Sequence, residues 1–258
     1  FHCFPFVTSN YNIMKYLKIF TILFFLANIT SCATSNVQTL DPVQTLLENT
    51  KRSFVKIEVS VWSLNCIETP AGKKECTKEK IGGAWGSGSV VKYKGKKHIL
   101  TVAHICESER MNALAHITQQ KLLYDFSATV EANSWNSYGA MPIKIDHQND
   151  ICLMSVDGID APYLKMSNKK PVYGEKTYTV ASPGGLARDG MVPTFEGRFL
   201  GVTDNRAYYS VPAMGGSSGS PLINKKGEII GVTHSVYAYF HHVTVSTTFE
   251  ELWNFISK

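Results

Sequence analysis

From Ser53 onward, apolar and polar positions trade places over short runs, and clusters of Gly, Pro, Asn and Lys separate those runs. Alternation with a period of two over a handful of residues marks a half-buried strand. It predicts strands over Phe54–Leu64, Ser87–Tyr93, His98–Val102, Asp125–Glu131, Ile143–Ile145 and Ile151–Val156. A second set follows over Lys176–Ala181, Thr194–Val202, Ala207–Val211, Ser220–Ile223, Glu228–Thr233 and Val243–Ser246. Turn signals such as Tyr93-Lys94-Gly95-Lys96 and Lys225-Lys226-Gly227 fall between them. The pattern predicts an all-β chain: two six-stranded antiparallel β-barrels packed side by side, joined near Asp157–Pro162. Helical spacing shows around Glu107–Ala115 and again at the C-terminus. There Thr247-Thr248-Phe249-Glu250-Glu251 offers a capping box ahead of Leu252, Phe255 and Ile256, so a short helix should close the chain.

The N-terminal residues follow a different rule. Residues 1–13 precede a good initiator position at Met14 and read as untranslated read-through. From Met14 come two lysines, an apolar run from Ile19 to Ala27, and small or polar residues up to Cys32. This is the layout of a secretory signal, and its apolar run is too short to span a bilayer. The ending Ile29-Thr30-Ser31-Cys32 resembles a bacterial lipobox. That resemblance implies a lipoprotein signal over residues 14–31 and lipidation of Cys32. It also implies an exported, membrane-anchored protein facing the periplasm or exterior of a bacterium. Residues 32–50, polar and rich in Thr, Asn and Gln, are expected as a flexible tether to a domain over residues 51–258.

Composition narrows the function classes. The 258 residues are 44% hydrophobic and 18% charged, ordinary values for a globular chain. Formal net charge is +5, of which Lys15 and Lys18 in the signal supply two. With no clustered basic face, no nucleic-acid partner is expected. Six cysteines include Cys3 and Cys32, leaving Cys66, Cys76, Cys106 and Cys152 as disulfide candidates. Cys66 and Cys76 flank a turn-rich stretch and could clasp a hairpin, but four cysteines allow three pairings and the sequence leaves them open. Such cysteine usage suits an oxidising compartment. No Cys-x-x-Cys or His-x-x-x-His spacing supports a metal site, and no cofactor is expected.

The segment Met214-Gly215-Gly216-Ser217-Ser218-Gly219-Ser220-Pro221-Leu222 carries the chemistry. A glycine-rich turn can expose a hydroxyl and aim successive backbone N–H groups at one spot. Gly216-Ser217-Ser218-Gly219-Ser220-Pro221 resembles the Gly-x-Ser-Gly-Gly/Ser-Pro motif of chymotrypsin-like serine peptidases. His98-Ile99-Leu100-Thr101-Val102-Ala103-His104 resembles the segment that carries their general base. Asn149-Asp150-Ile151-Cys152-Leu153-Met154 resembles the segment that carries their acid. The order His, Asp, Ser, with gaps of 46 and 68 residues, suits that family as well. The resemblance implies Ser218 as nucleophile, His104 as base and Asp150 as its partner, with the N–H groups of Gly216 and Ser218 as oxyanion hole. It implies a serine endopeptidase acting on protein or peptide substrates through an acyl-enzyme. It would also bring Cys106 and Cys152 near each other, since each lies two residues beyond a triad member.

The specificity pocket is harder to read. Six residues before Ser218, where trypsin carries an acid, stands Pro212. On the expected pocket strand, glutamyl endopeptidases place a histidine; here His234 falls one residue late, which would turn Thr233 inward. Pro212, Thr233 and His234 are therefore the pocket candidates, and they favour Glu or Gln over Lys or Arg. Two rivals stand. Gly215–Gly219 also fits Gly-x-Ser-x-Gly, with Ser217 as nucleophile. Alternatively, the chain is a catalytically inactive lipoprotein that uses the fold as a binding module.

Overall fold

A computed structural model describes residues 41–107, 121–130 and 135–258. In β1 (Phe54–Glu68) the alternation holds from Val55 to Ser63: Val55, Ile57, Val59 and Val61 are buried while Glu58 is exposed. It pairs antiparallel with β2 (Lys74–Tyr93), Phe54 opposite Ser89 and Glu68 opposite Lys74. Then come β3 (Lys96–Thr101), α1 (Ala103–Cys106), β4 (Lys121–Val130), β5 (Asn136–Asp146) and β6 (Ile151–Val156). Six strands close a barrel in the order β1-β2-β3-β6-β5-β4. Ile99, Leu100, Ile151, Leu153 and Met154 fill it.

The second sheet holds β7 (Lys165–Met166), β8 (Lys176–Val180), β9 (Thr194–Thr203), β10 (Arg206–Tyr209), β11 (Pro221–Ile223), β12 (Glu228–Tyr237) and β13 (Phe240–Ser246). Its order is β11-β8-β9-β10-β13-β12-β7, and pairing of β11 with β12 turns six of these strands back on themselves. The all-β, two-barrel expectation holds, with β7 added as a seventh strand parallel to β12. At two residues, β7 is too short to show a period. Phe199, Tyr209, Val211, Leu222 and Ile230 pack inside, and the buried Tyr209 hydroxyl donates to the Ile230 carbonyl at 3.0 Å.

Three differences from the sequence expectations have plain causes. Residues 42–50, expected as tether, are helical within Pro42–Ser53 (α2). Asp41 caps that helix by accepting from the Val43 N–H, Pro42 occupies its first turn, and Val43, Leu46 and Leu47 rest against the core. β1 and β2 run well past the predicted ends as an exposed arm, where polar residues hide the period but the ladder persists and Cys66 faces Cys76. β5 is eleven residues long rather than three, its pattern broken by Gly139 and by Pro142 at a register shift. The helix expected around Glu107–Ala115 falls almost wholly outside the described residues, as do the signal sequence and Cys32. The closing helix is present as α3 (Phe249–Ser257), with the Glu251 N–H donating to Thr248 Oγ1 at 3.3 Å.

Candidate active site

His104 sits in α1, the single turn that follows β3, and Asp150 stands just before β6. Strands β3 and β6 are neighbours, Thr101 opposite Cys152, so the two side chains come from adjacent strand ends. The Cys106–Cys152 disulfide ties α1 to β6, and Cys66–Cys76 closes the exposed arm. Asp150 accepts twice from one residue. Its Oδ1 takes the His104 backbone N–H at 2.8 Å, and its Oδ2 lies 2.7 Å from His104 Nδ1. This fixes the proton on Nδ1 and leaves Nε2 as the nitrogen able to take one.

Asp150 is held by its own loop. Its φ of 53° lies in the left-handed region, a conformation that Asp tolerates better than most residues. Asp146 accepts from the Asn149 backbone N–H at 3.0 Å and from the Asn149 amide at 2.9 Å, and that amide also reaches Glu251 of α3 at 3.4 Å. Sequence reading singled out neither Asp146 nor Asn149 as a support; an acid three residues before a buried Asn is the turn signal that could have found them. Burial opposes the charge on Asp150, but the hydrogen bond and charge of His104 outweigh it and hold the carboxyl below its ordinary range.

Ser218 lies half-buried in the turn between β10 and β11 and lines one groove with His104, Asp150 and His234. Among the described residues the Gly216 and Ser218 N–H groups take no partner, whereas those of Ser217, Gly219 and Ser220 are all bonded. Ser217 is only 1% exposed and its Oγ accepts from the Met214 N–H, so the Ser217 alternative does not present a hydroxyl to solvent. The turn is fastened to the first barrel through Ser87 of β2. The Ser87 N–H donates to the Ser218 carbonyl at 2.7 Å, and its hydroxyl donates to the Gly216 carbonyl at 2.8 Å. That hydroxyl also accepts from the Ser182 N–H at 3.0 Å. Gly219, with φ of 91°, approaches so closely that an added Cβ would strike the Ser87 carbonyl and the Thr101 hydroxyl. The Gly-Ser-Gly run of residues 86–88 and the Ser182-Pro183-Gly184-Gly185 turn thus hold the serine turn in place.

The pocket candidates fare differently. Pro212 is half-buried and does not line this groove. Thr233 borders the groove but is 2% exposed, and its hydroxyl accepts from Ser220 Oγ at 2.9 Å. His234 points its Nε2 at Asp150 Oδ2, 3.2 Å away, while its Nδ1 meets Ser235 Oγ at 2.9 Å. Burial pushes the His234 imidazole below its ordinary value, against the pull of Asp150. Glu107, His147 and Arg206 also line the groove, with His147 Nε2 3.3 Å from Glu107 Oε2. No group of three or more His, Cys, Asp or Glu among the described residues could hold a metal ion.

Two barrels meeting over a His–Asp pair and a glycine-rich serine turn define the chymotrypsin-like fold class. The chain belongs to the trypsin-like peptidase domain family, whose pattern residues 86–232 match. It is 32% identical over 102 residues to a probable periplasmic serine endoprotease, DegP-like, of Pseudomonas fluorescens, covering 37% of this chain and 21% of that one. It is 30% identical over 166 residues to serine protease HTR4 of Rattus norvegicus, covering 60% of this chain and 30% of that one. The chain therefore spans a third or less of the length of these two curated relatives. The active form of the Rv3671c protease of M. tuberculosis superimposes with a TM-score of 0.59 at 18% identity, covering 83% of each chain. A serine endoprotease of Yersinia pestis gives 0.57 at 15% identity, covering 81% of this chain and 63% of that one. These two likenesses speak to the fold.

Proposed function

We propose that the chain is a serine endopeptidase working through Ser218, His104 and Asp150. The observation that carries this reading is the 2.7 Å contact of His104 Nδ1 with Asp150 Oδ2, in the groove that Ser218 also lines. In the proposed reaction His104 Nε2 removes the Ser218 hydroxyl proton as Oγ attacks the peptide carbonyl carbon. The carbonyl oxygen becomes an oxyanion and accepts from the Gly216 and Ser218 N–H groups, which have no other partner among the described residues. Asp150 stabilises the imidazolium. His104 then returns the proton to the leaving amine, the C–N bond breaks, and an acyl ester remains on Ser218. Water, activated by the same histidine, releases the acid product and regenerates the hydroxyl.

A fluorophosphonate probe tests this, because it labels only an activated serine. Stoichiometric labelling of the parent and none of Ser218→Ala is expected. An unlabelled parent would make the chain the inactive binding module instead.

The same reading extends to location. The disulfides suit an oxidising space, and one relative is named as probably periplasmic. With the signal layout of residues 14–31, these support export and anchoring of the protein through lipid on Cys32. Stable anchoring needs more than one acyl chain, as a lipidated N-terminal cysteine would supply. If Cys32→Ser were processed and fractionated like the parent, the lipid assignment would fall.

A further inference from the structure

Arg206 opens β10 directly after the turn at Asp204 and Asn205, both in left-handed conformation. Its side chain enters the groove that His104, Asp150, Ser218 and His234 line. One terminal nitrogen, Nη2, donates to the Gln148 carbonyl at a long 3.4 Å. The other, Nη1, is buried and has no hydrogen-bond partner among the described residues. No carboxylate among the described residues pairs with this guanidinium.

The acids nearby are already engaged. Asp150 is held by His104 and His234, and Glu107 lies against His147. The positive charge of Arg206 is felt in the groove, since it works with burial against protonation of His234. A guanidinium is always charged and offers a planar fork that matches a carboxylate with two parallel hydrogen bonds. A buried N–H of that fork without an acceptor is unusual in a folded protein. A substrate carboxylate would supply the acceptor once the side chain turns from the Gln148 carbonyl into the groove.

We propose that Arg206 is a specificity residue that receives an Asp or Glu side chain of the peptide substrate. This rests on the groove being a peptide-binding cleft, as the proposed function holds. It replaces the Thr233 and His234 basis for acidic preference, because Thr233 is only 2% exposed and both ring nitrogens of His234 face internal groups. Arg206 does not touch reacting atoms in this account. It selects and orients.

The test separates recognition from chemistry by measuring binding to full-length Ser218→Ala, which need not cleave. The probes are peptides blocked at both ends, with Glu, Gln, Ala or Lys placed at each position in turn. At one position Glu should bind at least tenfold tighter than Gln, and 0.5 M salt should shrink that margin. Arg206→Gln should reduce it to within twofold, and Arg206→Lys, which keeps charge but loses the fork, should retain part of it. A purely structural role, bracing residue 148, would instead weaken all peptides alike in Arg206→Gln and leave the Glu-to-Gln ratio intact. That result overturns the proposal, as does equal binding of Glu and Gln peptides by the Arg206 protein. The same peptides left unblocked at the C-terminus serve as a control, and tighter binding of those alone would overturn the side-chain assignment. Fluorophosphonate labelling of the parent, and its loss in Ser218→Ala, tests the catalytic reading separately and keeps the two readings apart.

Discussion

His234 Nε2 lies 3.2 Å from Asp150 Oδ2, the oxygen that also receives His104 Nδ1. With the His104 backbone N–H on Oδ1, the carboxylate accepts two hydrogen bonds from His104 and has His234 as a close polar neighbour. His234 comes from the second barrel and Asp150 from the first, so this contact joins the two halves at the site itself. Removing a half-buried side chain that bridges two packed halves in this way costs about 0.5–3 kcal/mol. His234→Ala should therefore lower stability by about that amount, and His234→Gln, which keeps an N–H donor, by less. Equal melting temperatures for the parent and His234→Ala would contradict this.

The contact has a pH signature. Burial lowers the folded-state pKa of His234 below its ordinary 6.5, with Arg206 and His104 adding to the effect and Asp150 opposing it. Above about 6.5 neither state binds this proton, and the contribution to stability is whole. As pH falls below that value, the unfolded chain takes up a proton that the folded protein resists, and stability declines toward the depressed pKa. Asp150 adds a loss of the same sign at lower pH, as its own depressed pKa is crossed. Urea midpoints should drop between pH 7.5 and pH 5 in the parent and drop less in His234→Gln. Parallel slopes would refute the assignment.

Ser218 and Ser217 are adjacent but differ in what each touches. Ser218→Ala should cost several orders of magnitude in peptide hydrolysis with an unchanged melting temperature. Ser217→Ala removes a buried hydroxyl that accepts from Met214 and should cost stability before activity. The reverse pattern would sink the proposed triad.

Gly219→Ala should destabilise by about 2–4 kcal/mol, because its positive φ and its contact with Ser87 and Thr101 leave no room for a methyl group. Gly190 also has positive φ but open space around its Cβ direction, so Gly190→Ala should cost only about 1–2 kcal/mol. Denaturant titration of both variants checks the difference; equal losses would mean the close approach carries no cost.

The two disulfides should not be equivalent. Cys106–Cys152 closes a separation of 46 residues and Cys66–Cys76 one of 10, which chain entropy values at about 4 and about 3 kcal/mol respectively. Only the first braces the elements carrying His104 and Asp150. Replacing both cysteines of the arm by serine should leave hydrolysis within twofold, whereas Cys106→Ser/Cys152→Ser should reduce it at least tenfold. Identical activities in the two double variants would dissociate the bridge from the site.

The sequence by itself determined the twelve principal strands, their division into two sets of six, and which serine, histidine and aspartate could share a site. Those features are local: one-sided burial writes a period of two, and a glycine-rich turn around a serine needs only its own neighbours. What lacked a local signature escaped it. The arm beyond Leu64 is stabilised by its ladder rather than by an apolar face, and α2 is short and needs the core beneath it. The pocket strand shows a different limit. Alternation counted along β12 assigns a face to each side chain, but the pairing with β13 shifts register between Thr233 and Ser235, leaving His234 as the extra residue. A bulge re-aims a side chain, and no count along one strand can register it. Only the tertiary structure could decide that Thr233 binds Ser220, that His234 meets Asp150, and that Arg206 reaches the groove with one nitrogen unpaired. Each of those contacts joins residues far apart in sequence or on different strands, where position along the chain carries no information about distance.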